Sequence, residues 1–346
     1  MGATAETALD ELLDDPNPRM QARALWLLGQ IEGRGASTVE MALADENEDI
    51  RIAGLRLARQ LDLDLIPYIQ QGADDPSPQV RREAAIALRH NDSPEAPALW
   101  ARLAAQHDGV DRWYLEALGI AADRQWDAFF AAWQEQNRED WDTPAGRDIV
   151  WRARAEAALP LLTELILSPT TTDTERLRYF RALDFHPASP AKAALLGGLL
   201  AADHPRELDI RVLSLQHLAG SDAMETPATR DAIYSTLDDV RGTRAFLDLV
   251  DRFELADQGE ALFTMALADP AGDLGKDAGR ILLDLDGRER IAAAVAAAST
   301  EESTAIISLL DGVESNGSRG TLESLFRDPS LPLEVRRRAL EAFGPG

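Results

Sequence analysis

The chain contains no cysteine and almost no lysine. Lys192 and Lys276 are the only lysines among its 346 residues, so arginine supplies nearly all of the positive charge. The lack of cysteine excludes disulfides, thiolate catalysis, Cys-ligated zinc, iron–sulfur clusters and thioether-linked haem within this chain. Runs of β-branched residues are also scarce, whereas alanine and leucine are abundant, and this balance favours helices over strands.

Positive charge is scarce overall, and the formal net charge is -25. A surface this negative repels phosphates, so nucleic acid and anionic membranes are poor partners. The acid excess indicates either a general compositional bias or an acidic face that docks a basic protein. The sequence has no apolar run of about 18 residues, so we expect no membrane-spanning helix. Its acidic beginning lacks the basic segment of a signal peptide, and the compartment stays undetermined.

Repeats appear as soon as the sequence is compared with itself. DDPNPRMQARALWLLGQI begins at Asp14, ADENEDIRIAGLRLARQL at Ala44 and DDPSPQVRREAAIALRHN at Asp74, which are 30 residues apart. In each copy a turn rich in Asp and Pro precedes a helix with apolar residues at helical spacing. Small residues recur at one register of these helices and predict close helix–helix approach. Weaker copies begin at Leu167, Ala201, Leu267 and Phe326.

A period of 30 to 45 residues with two helices per unit resembles the HEAT repeats. Asp75, Val80, Arg81 and Ala84 carry the resemblance most clearly. It implies an all-α fold, an α-solenoid or superhelix of stacked HEAT-like helical hairpins, with roughly nine to eleven pairs in the chain. We expect a single array over residues 1–346, with a bend or linker at residues 219–228.

Aromatic residues make up only 6% of the chain but concentrate in DRWYLEALGIAADRQWDAFFAAW, which begins at Asp111. The spacing predicts two helices, each with an apolar face, and we expect both faces to be buried. The alternative is a concave surface lined by aromatic rings that binds a protein or an aromatic ligand, with Trp141 and Trp151 as the most exposed rings. The candidate partner-binding residues are Trp113, Tyr114, Trp126, Trp133, Trp141 and Trp151.

The stretches that begin at Asp111, Asp148 and Arg176 resemble the HEAT-like middle region of PVC-type haem-binding proteins, also known as membrane-bound dehydrogenase domain proteins. In that family a β-propeller precedes the helices and a cytochrome c-type domain follows them. The resemblance therefore implies a non-catalytic spacer or docking segment of an extracytoplasmic redox protein. It assigns no catalytic residue here, because the family's Cys-x-x-Cys-His haem motif has no counterpart in this chain.

No catalytic or metal-binding motif appears. The five histidines form no zinc-binding pattern, the Asp-rich stretch at Leu283 does not fit a calcium loop, and Gly317 does not begin a phosphate loop. The acidic run over residues 135–142 is expected to be a solvated surface. We therefore expect a protein-interaction or scaffold module with no cofactor, whose partner is another protein or a flanking domain. The alternative is a bilin-lyase-like or other ligand-binding HEAT enzyme that uses the aromatic region 100–151.

Arginines recur near one position of successive repeats. We expect each of them to pair with a turn aspartate of its own or a neighbouring repeat. The alternative is an arginine ladder that binds an acidic peptide. The arginines concerned are Arg19, Arg51, Arg81, Arg178, Arg211 and Arg336.

Overall fold

The fold was obtained as a computed structural model that describes residues 3–138, 140–218, 226–270, 272–285, 287–313 and 315–344. Over these ranges the chain forms 22 α-helices with short 3₁₀ turns, and no β-strand. The predicted all-α class of stacked helical hairpins is confirmed. No helix within these ranges is long and apolar enough to cross a membrane.

The chain divides into two compact units, residues 1–192 and 193–346. In the first unit the contacts between alternate helices build one layer from α2, α4, α6, α8, α10 and α12, as in stacked hairpins. The helices are α1 (Ala3–Leu12), α2 (Pro18–Gly29), α3 (Gly35–Leu43), α4 (Glu48–Gln60), α5 (Ile66–Ala73), α6 (Pro78–Ala87), α7 (Ala96–Ala104), α8 (Arg112–Ala121), α9 (Trp126–Gln136), α10 (Pro144–Arg152), α11 (Leu159–Leu167) and α12 (Asp173–Ala182).

The second unit repeats this arrangement, with one layer of contacts running through alternate helices from α14 to α22. The boundary between the units falls within α13, and of the predicted bend at 219–228 the residues 219–225 lie outside the described residues. The single array therefore stays a prediction. The helices are α13 (Pro190–Leu200), α14 (Glu207–His217), α15 (Pro227–Asp239), α16 (Arg244–Arg252), α17 (Gly259–Ala268), α18 (Asp273–Asp284), α19 (Arg288–Ala297), α20 (Thr300–Gly312), α21 (Asn316–Arg327) and α22 (Leu333–Phe343).

The 30-residue period originates in a turn that is built the same way three times. An aspartate carboxylate accepts a hydrogen bond from the amide two residues on, and that residue then caps the next helix with its own side chain. Proline or glutamate follows at the first helical position. The distances from Oδ1 to the amide N are 2.8 Å for Asp15–Asn17, 2.7 Å for Asp45–Asn47 and 2.8 Å for Asp75–Ser77.

Small residues do allow close helix approach, as the sequence predicts. A Cβ atom built on Gly54 of α4 would lie 2.8 Å from the Cβ of Ala42 on α3. One on Gly72 of α5 would lie 2.9 Å from the Cβ of Ala84 on α6. Both separations are shorter than a carbon–carbon contact allows, so a larger side chain at either glycine would force the two helices apart.

The recurring arginines largely pair inside the repeat stack. Arg51 binds Asp75 of the next repeat with two hydrogen bonds, Nε–Oδ2 at 2.7 Å and Nη2–Oδ1 at 2.9 Å. Burial raises the pKa of Asp75, but its hydrogen bonds from Arg51 and the Ser77 amide outweigh this and lower the pKa below its ordinary value. Arg178 and Arg211 pair with Asp148 and Asp239, which lie in helices and not in turns as expected. Arg81 and Arg336 donate to the main-chain carbonyls of Asp75 and Phe326.

Candidate functional site

Most of the aromatic rings between residues 100 and 133 form the interior of the first unit. Trp100 is fully buried, with its ring centroid 5.8 Å from that of Trp126 and 5.7 Å from that of Phe129. Trp133 is buried and stacks on Phe130 at 5.4 Å. The contacts of Trp100 join α7 to α9, so its ring fills the space between these two helices.

Tyr114 also belongs to the core. It is buried, and its hydroxyl donates a hydrogen bond to the Leu103 carbonyl at 3.0 Å. Burial raises the pKa of its phenol above the ordinary value, although the nearby Arg81 opposes this. Tyr114 and Trp133 were both candidates for partner binding, and the structure places both beyond the reach of a partner at the surface.

Trp141 and Trp151, expected to be the most exposed rings, are only half-exposed. The indole Nε1 of Trp151 donates to the Arg178 carbonyl at 3.1 Å. The guanidinium of the same arginine lies 4.1 Å from the centroid of the Trp151 ring, which is a cation–π contact. Trp151 is thus held between α10 and α12.

Trp113 is the exposed ring, with 71% of its surface accessible. The Asp111 carboxylate caps α8 by accepting hydrogen bonds from the amides of Trp113 and Tyr114 at 2.9 and 3.1 Å. The cap starts the helix, and in its first turn Tyr114 is buried whereas Trp113 is exposed. The predicted burial of the apolar face of α8 is correct for Leu115, Ala117 and Leu118. It was wrong for Trp113 and Ile120, which are exposed, because Tyr114 turns into the core instead.

Trp113, Ala117 and Ile120 form one wall of a groove of about 510 Å³ across α4, α6 and α8. Ile52 and Ile86 contribute the apolar floor. Because these residues come from three successive repeats, the groove exists only when the hairpins are stacked. Its lining is Ile52, Arg56, Gln79, Arg82, Glu83, Ile86, Trp113, Glu116, Ala117 and Ile120.

A second groove, of about 640 Å³, continues the first toward α2. The two share Ile52 and Arg56, so together they form one surface that crosses α2, α4, α6 and α8. Trp26 and Leu27 of α2 are exposed there. We refer to the combined surface as the Trp113 groove; the second part is lined by Ala22, Arg23, Trp26, Leu27, Asp49, Ile52, Ala53 and Arg56.

The lining carries three arginines and three carboxylates, and further arginines beside the groove pair with two of those carboxylates, Glu83 and Glu116. Glu83 is buried and accepts from both Arg56, at 2.8 Å, and Arg59, at 3.1 Å. Glu116 lies 3.4 Å from Arg152 and 4.0 Å from Arg112. One carboxylate cannot neutralise two guanidinium groups, so each of these triads retains positive charge at the surface.

The described residues contain no group of three or more His, Asp or Glu side chains placed to hold a metal ion. The acidic run at 135–142 includes Glu139, which lies outside the described residues, as does Asp286 of the calcium-like stretch. The groups that the groove exposes are the Trp113 indole, aliphatic side chains and guanidinium groups.

Residues 35–119 match the HEAT repeat family. The match extends from α3 through most of α8 and includes the main part of the Trp113 groove. Repeats of this kind stack into extended surfaces that bind other proteins. A comparison with curated protein sequences finds no match.

Several solved structures resemble the chain in part. An engineered protein shows 16% identity over 100% of both chains with a TM-score of 0.35. Human deoxyhypusine hydroxylase in complex with glycerol shows 16% identity over 98% of this chain and 97% of its own, with a TM-score of 0.27. SYS-1 shows 14% identity over 99% of this chain and 63% of its own, also with a TM-score of 0.27. These scores are too low to support an argument about function, and the resemblance to haem-binding proteins stays a prediction.

Proposed function

We propose that the chain is a non-catalytic protein-interaction module that holds its partner in the Trp113 groove. The observation that carries the proposal is Trp113 itself, a large ring left exposed at the wall of an apolar groove. Tryptophan is enriched among residues that dominate binding energy, because it buries a large rigid surface at little cost in conformational entropy. Elsewhere in this region the tryptophans are used for packing.

Two further features support recognition. The groove is built from side chains of successive repeats, so a partner that spans several helices contacts all of them at once. Its lining includes three arginines, Arg23, Arg56 and Arg82, and arginine is enriched at protein interfaces. The alternative, a lyase-like enzyme that uses the aromatic region 100–151, requires rings that line an accessible chamber. Trp100, Phe129 and Trp133 instead pack against other aromatic rings.

The resemblance to the helical region of haem-binding proteins also suggests which kind of larger protein contains this module. On that basis the module docks or spaces the domains of a larger extracytoplasmic redox protein. The reading frame that encodes the chain tests this extension: a propeller segment before the helices and a Cys-x-x-Cys-His motif after them support it, and an unrelated context contradicts it.

Selection of peptides from a displayed random library tests the proposed binding surface. We expect the intact chain to enrich peptides that lose about 30-fold in affinity when Trp113→Ala replaces the wild type, since a central tryptophan contributes about 2 kcal/mol or more at an interface. Phe185→Ala is the matched control, because Phe185 is an exposed aromatic outside the groove. Its binding should equal that of the wild type.

The selection also has an outcome that contradicts the proposal. If no peptide is enriched, or if the enriched peptides bind Trp113→Ala as well as they bind the wild type, the groove is not the interaction surface. Circular dichroism of each variant confirms that it is folded.

A further inference from the structure

We infer that the partner of the Trp113 groove is an acidic peptide segment with interspersed apolar side chains. The inference rests on the proposed function and adds the chemical class of the partner. An acidic partner is unexpected from the composition, since a chain of net charge -25 should on average attract basic partners. The distribution of charge between the two helix layers of the first unit reverses that expectation.

The layer that carries the groove is the arginine-rich one. Arginines outnumber acidic residues in α2, α4, α6, α10 and α12, and the two are equal in α8. In the opposite layer, acidic residues outnumber arginines in α1, α3, α9 and α11, α5 carries no charge, and only α7 has an excess arginine. Positive charge is therefore concentrated on the face where Trp113 is exposed.

Arg82 lies 3.9 Å from Asp111, but the other internal ion pairs leave positive charge on this face. Glu83 is buried beneath Arg56 and Arg59, while the Arg56 side chain remains 60% exposed. Glu116 is shared by Arg152 and by Arg112, whose side chain is exposed. A guanidinium held from one side by a buried carboxylate still presents its other N–H groups to solvent, in the planar geometry that matches a second carboxylate.

The apolar part of the groove selects a peptide over a nucleic acid. Ile52, Ile86 and Ile120 offer space for aliphatic or aromatic side chains between the arginines, and a phosphate backbone has no group to fill it. Because the lining carries three acidic residues, Asp49, Glu83 and Glu116, beside its arginines, charge alone does not hold a polyanion there, and apolar contacts are needed as well. Acidic and apolar side chains in alternation satisfy both features.

The length of the partner follows from the helix spacing. Packed helices lie about 9 Å apart, so a peptide that crosses α2, α4, α6 and α8 spans roughly 27 Å. An extended chain advances about 3.3 Å per residue, which gives a segment of about eight residues. Such a segment can contact Trp26 at one end of the surface and Trp113 at the other.

The test uses four synthetic probes of about eight residues, a length set by the spacing above. Three peptides share one pattern of Leu and Phe and carry Glu, Gln or Lys at the remaining positions. The fourth probe is a single-stranded oligothymidylate. Binding to the intact chain is measured by calorimetry at two salt concentrations. We expect the Glu peptide to bind most tightly. Its affinity should fall as the salt concentration rises, because salt screens exposed charges.

Variants localise the charge effect. Arg56→Gln combined with Arg82→Gln removes two guanidinium groups from the groove. This double substitution should lower the affinity for the Glu peptide about tenfold or more and leave the affinity for the Gln peptide nearly unchanged. Arg327→Gln combined with Arg337→Gln is the matched control, because both arginines are exposed and lie in the second unit. That control should bind as the wild type does.

The outcomes separate this inference from the proposed function. Tighter binding of the Lys peptide, the Gln peptide or the oligonucleotide overturns the inference that the partner is acidic. The absence of binding by all four probes also overturns it. If the displayed library nevertheless yields neutral or basic peptides that depend on Trp113, the interaction module stands and only its partner class is wrong. If the library also yields nothing, both fail.

Discussion

Replacing Trp100 with alanine is expected to lower the free energy of unfolding by about 4 kcal/mol, the typical cost of deleting a buried aromatic side chain. Trp100 is fully buried, packs against Trp126 and Phe129, and donates a hydrogen bond from Nε1 to the Leu118 carbonyl at 3.0 Å. Its loss leaves a cavity and removes this hydrogen bond, while the Leu118 carbonyl still accepts from the Ala122 amide at 3.1 Å. Urea unfolding followed by circular dichroism measures the change.

Trp113→Ala is the matched control for this substitution. The same side chain is removed from a site that is 71% exposed, and surface truncations usually change stability by less than about 0.5 kcal/mol. Comparing Trp100→Ala with Trp113→Ala distinguishes a tryptophan that stabilises the fold from one that is proposed to bind a partner. Equal destabilisation by the two substitutions would contradict the assignment of Trp100 to the core and Trp113 to the surface.

Asp148→Ala is expected to lower the free energy of unfolding by about 2 kcal/mol, because it leaves the buried His107 imidazole without its hydrogen-bond acceptor. The Asp148 carboxylate accepts from His107 Nε2 at 3.0 Å and from Arg178 Nη2 at 2.6 Å. His107 follows α7, and Asp148 and Arg178 lie on α10 and α12, so this network joins parts of the first unit that are far apart in sequence. The His107 side chain is almost completely buried.

The stability cost of Asp148→Ala should depend on pH. Burial raises the pKa of Asp148, but its hydrogen bonds from His107 and Arg178 outweigh this and lower the pKa below the ordinary value. A carboxyl whose pKa is lowered by folding stabilises the protein above its unfolded pKa of about 4, and the stabilisation is lost as pH falls through the folded pKa. The difference between wild type and variant should therefore be largest near neutral pH and narrow in acid.

Asp238→Ala provides the control for this network. Asp238 pairs with Arg241 three residues on, and both side chains are exposed. Such surface pairs contribute roughly 0 to 1 kcal/mol, so little change is expected at any pH. A loss for Asp148→Ala no greater than that for Asp238→Ala, or a difference that widens in acid, would show that the Asp148 network does not hold the helices together.

The repeated part of the fold could be predicted from the sequence because its signals are local. The carboxylates of Asp15, Asp45 and Asp75 accept from amides two residues on, and the 30-residue spacing shows directly in the chain. Arg51 was expected to pair with a turn aspartate, and Asp75 of the following repeat lies at the distance that this pairing needs. Where such local signals weaken, as between residues 192 and 228, the sequence could not locate the boundary between the two units.

The candidate site could be predicted only in part. The spacing placed Trp113 and Ile120 on one stripe of α8, but hydropathy alone cannot distinguish a stripe that packs against the core from one that lines an apolar groove. Trp26 of α2 and Arg56 of α4 lie on the same groove as Trp113 only because α2 and α4 stack beside α6 and α8. Similarly, the contact between Trp151 and Arg178 joins residues on different helices, and no local pattern shows it.

Photo-cross-linking of a bound peptide tests the central claim most directly. A Trp113-dependent peptide from the library, carrying a photoreactive group at its centre, is irradiated on the intact chain, and the linked residues are found by mass spectrometry. The account predicts cross-links within residues 49–56, 79–86 and 113–120, which line the groove. Cross-links on α3, α5 or α7, or within residues 193–346, would show that the binding surface lies elsewhere.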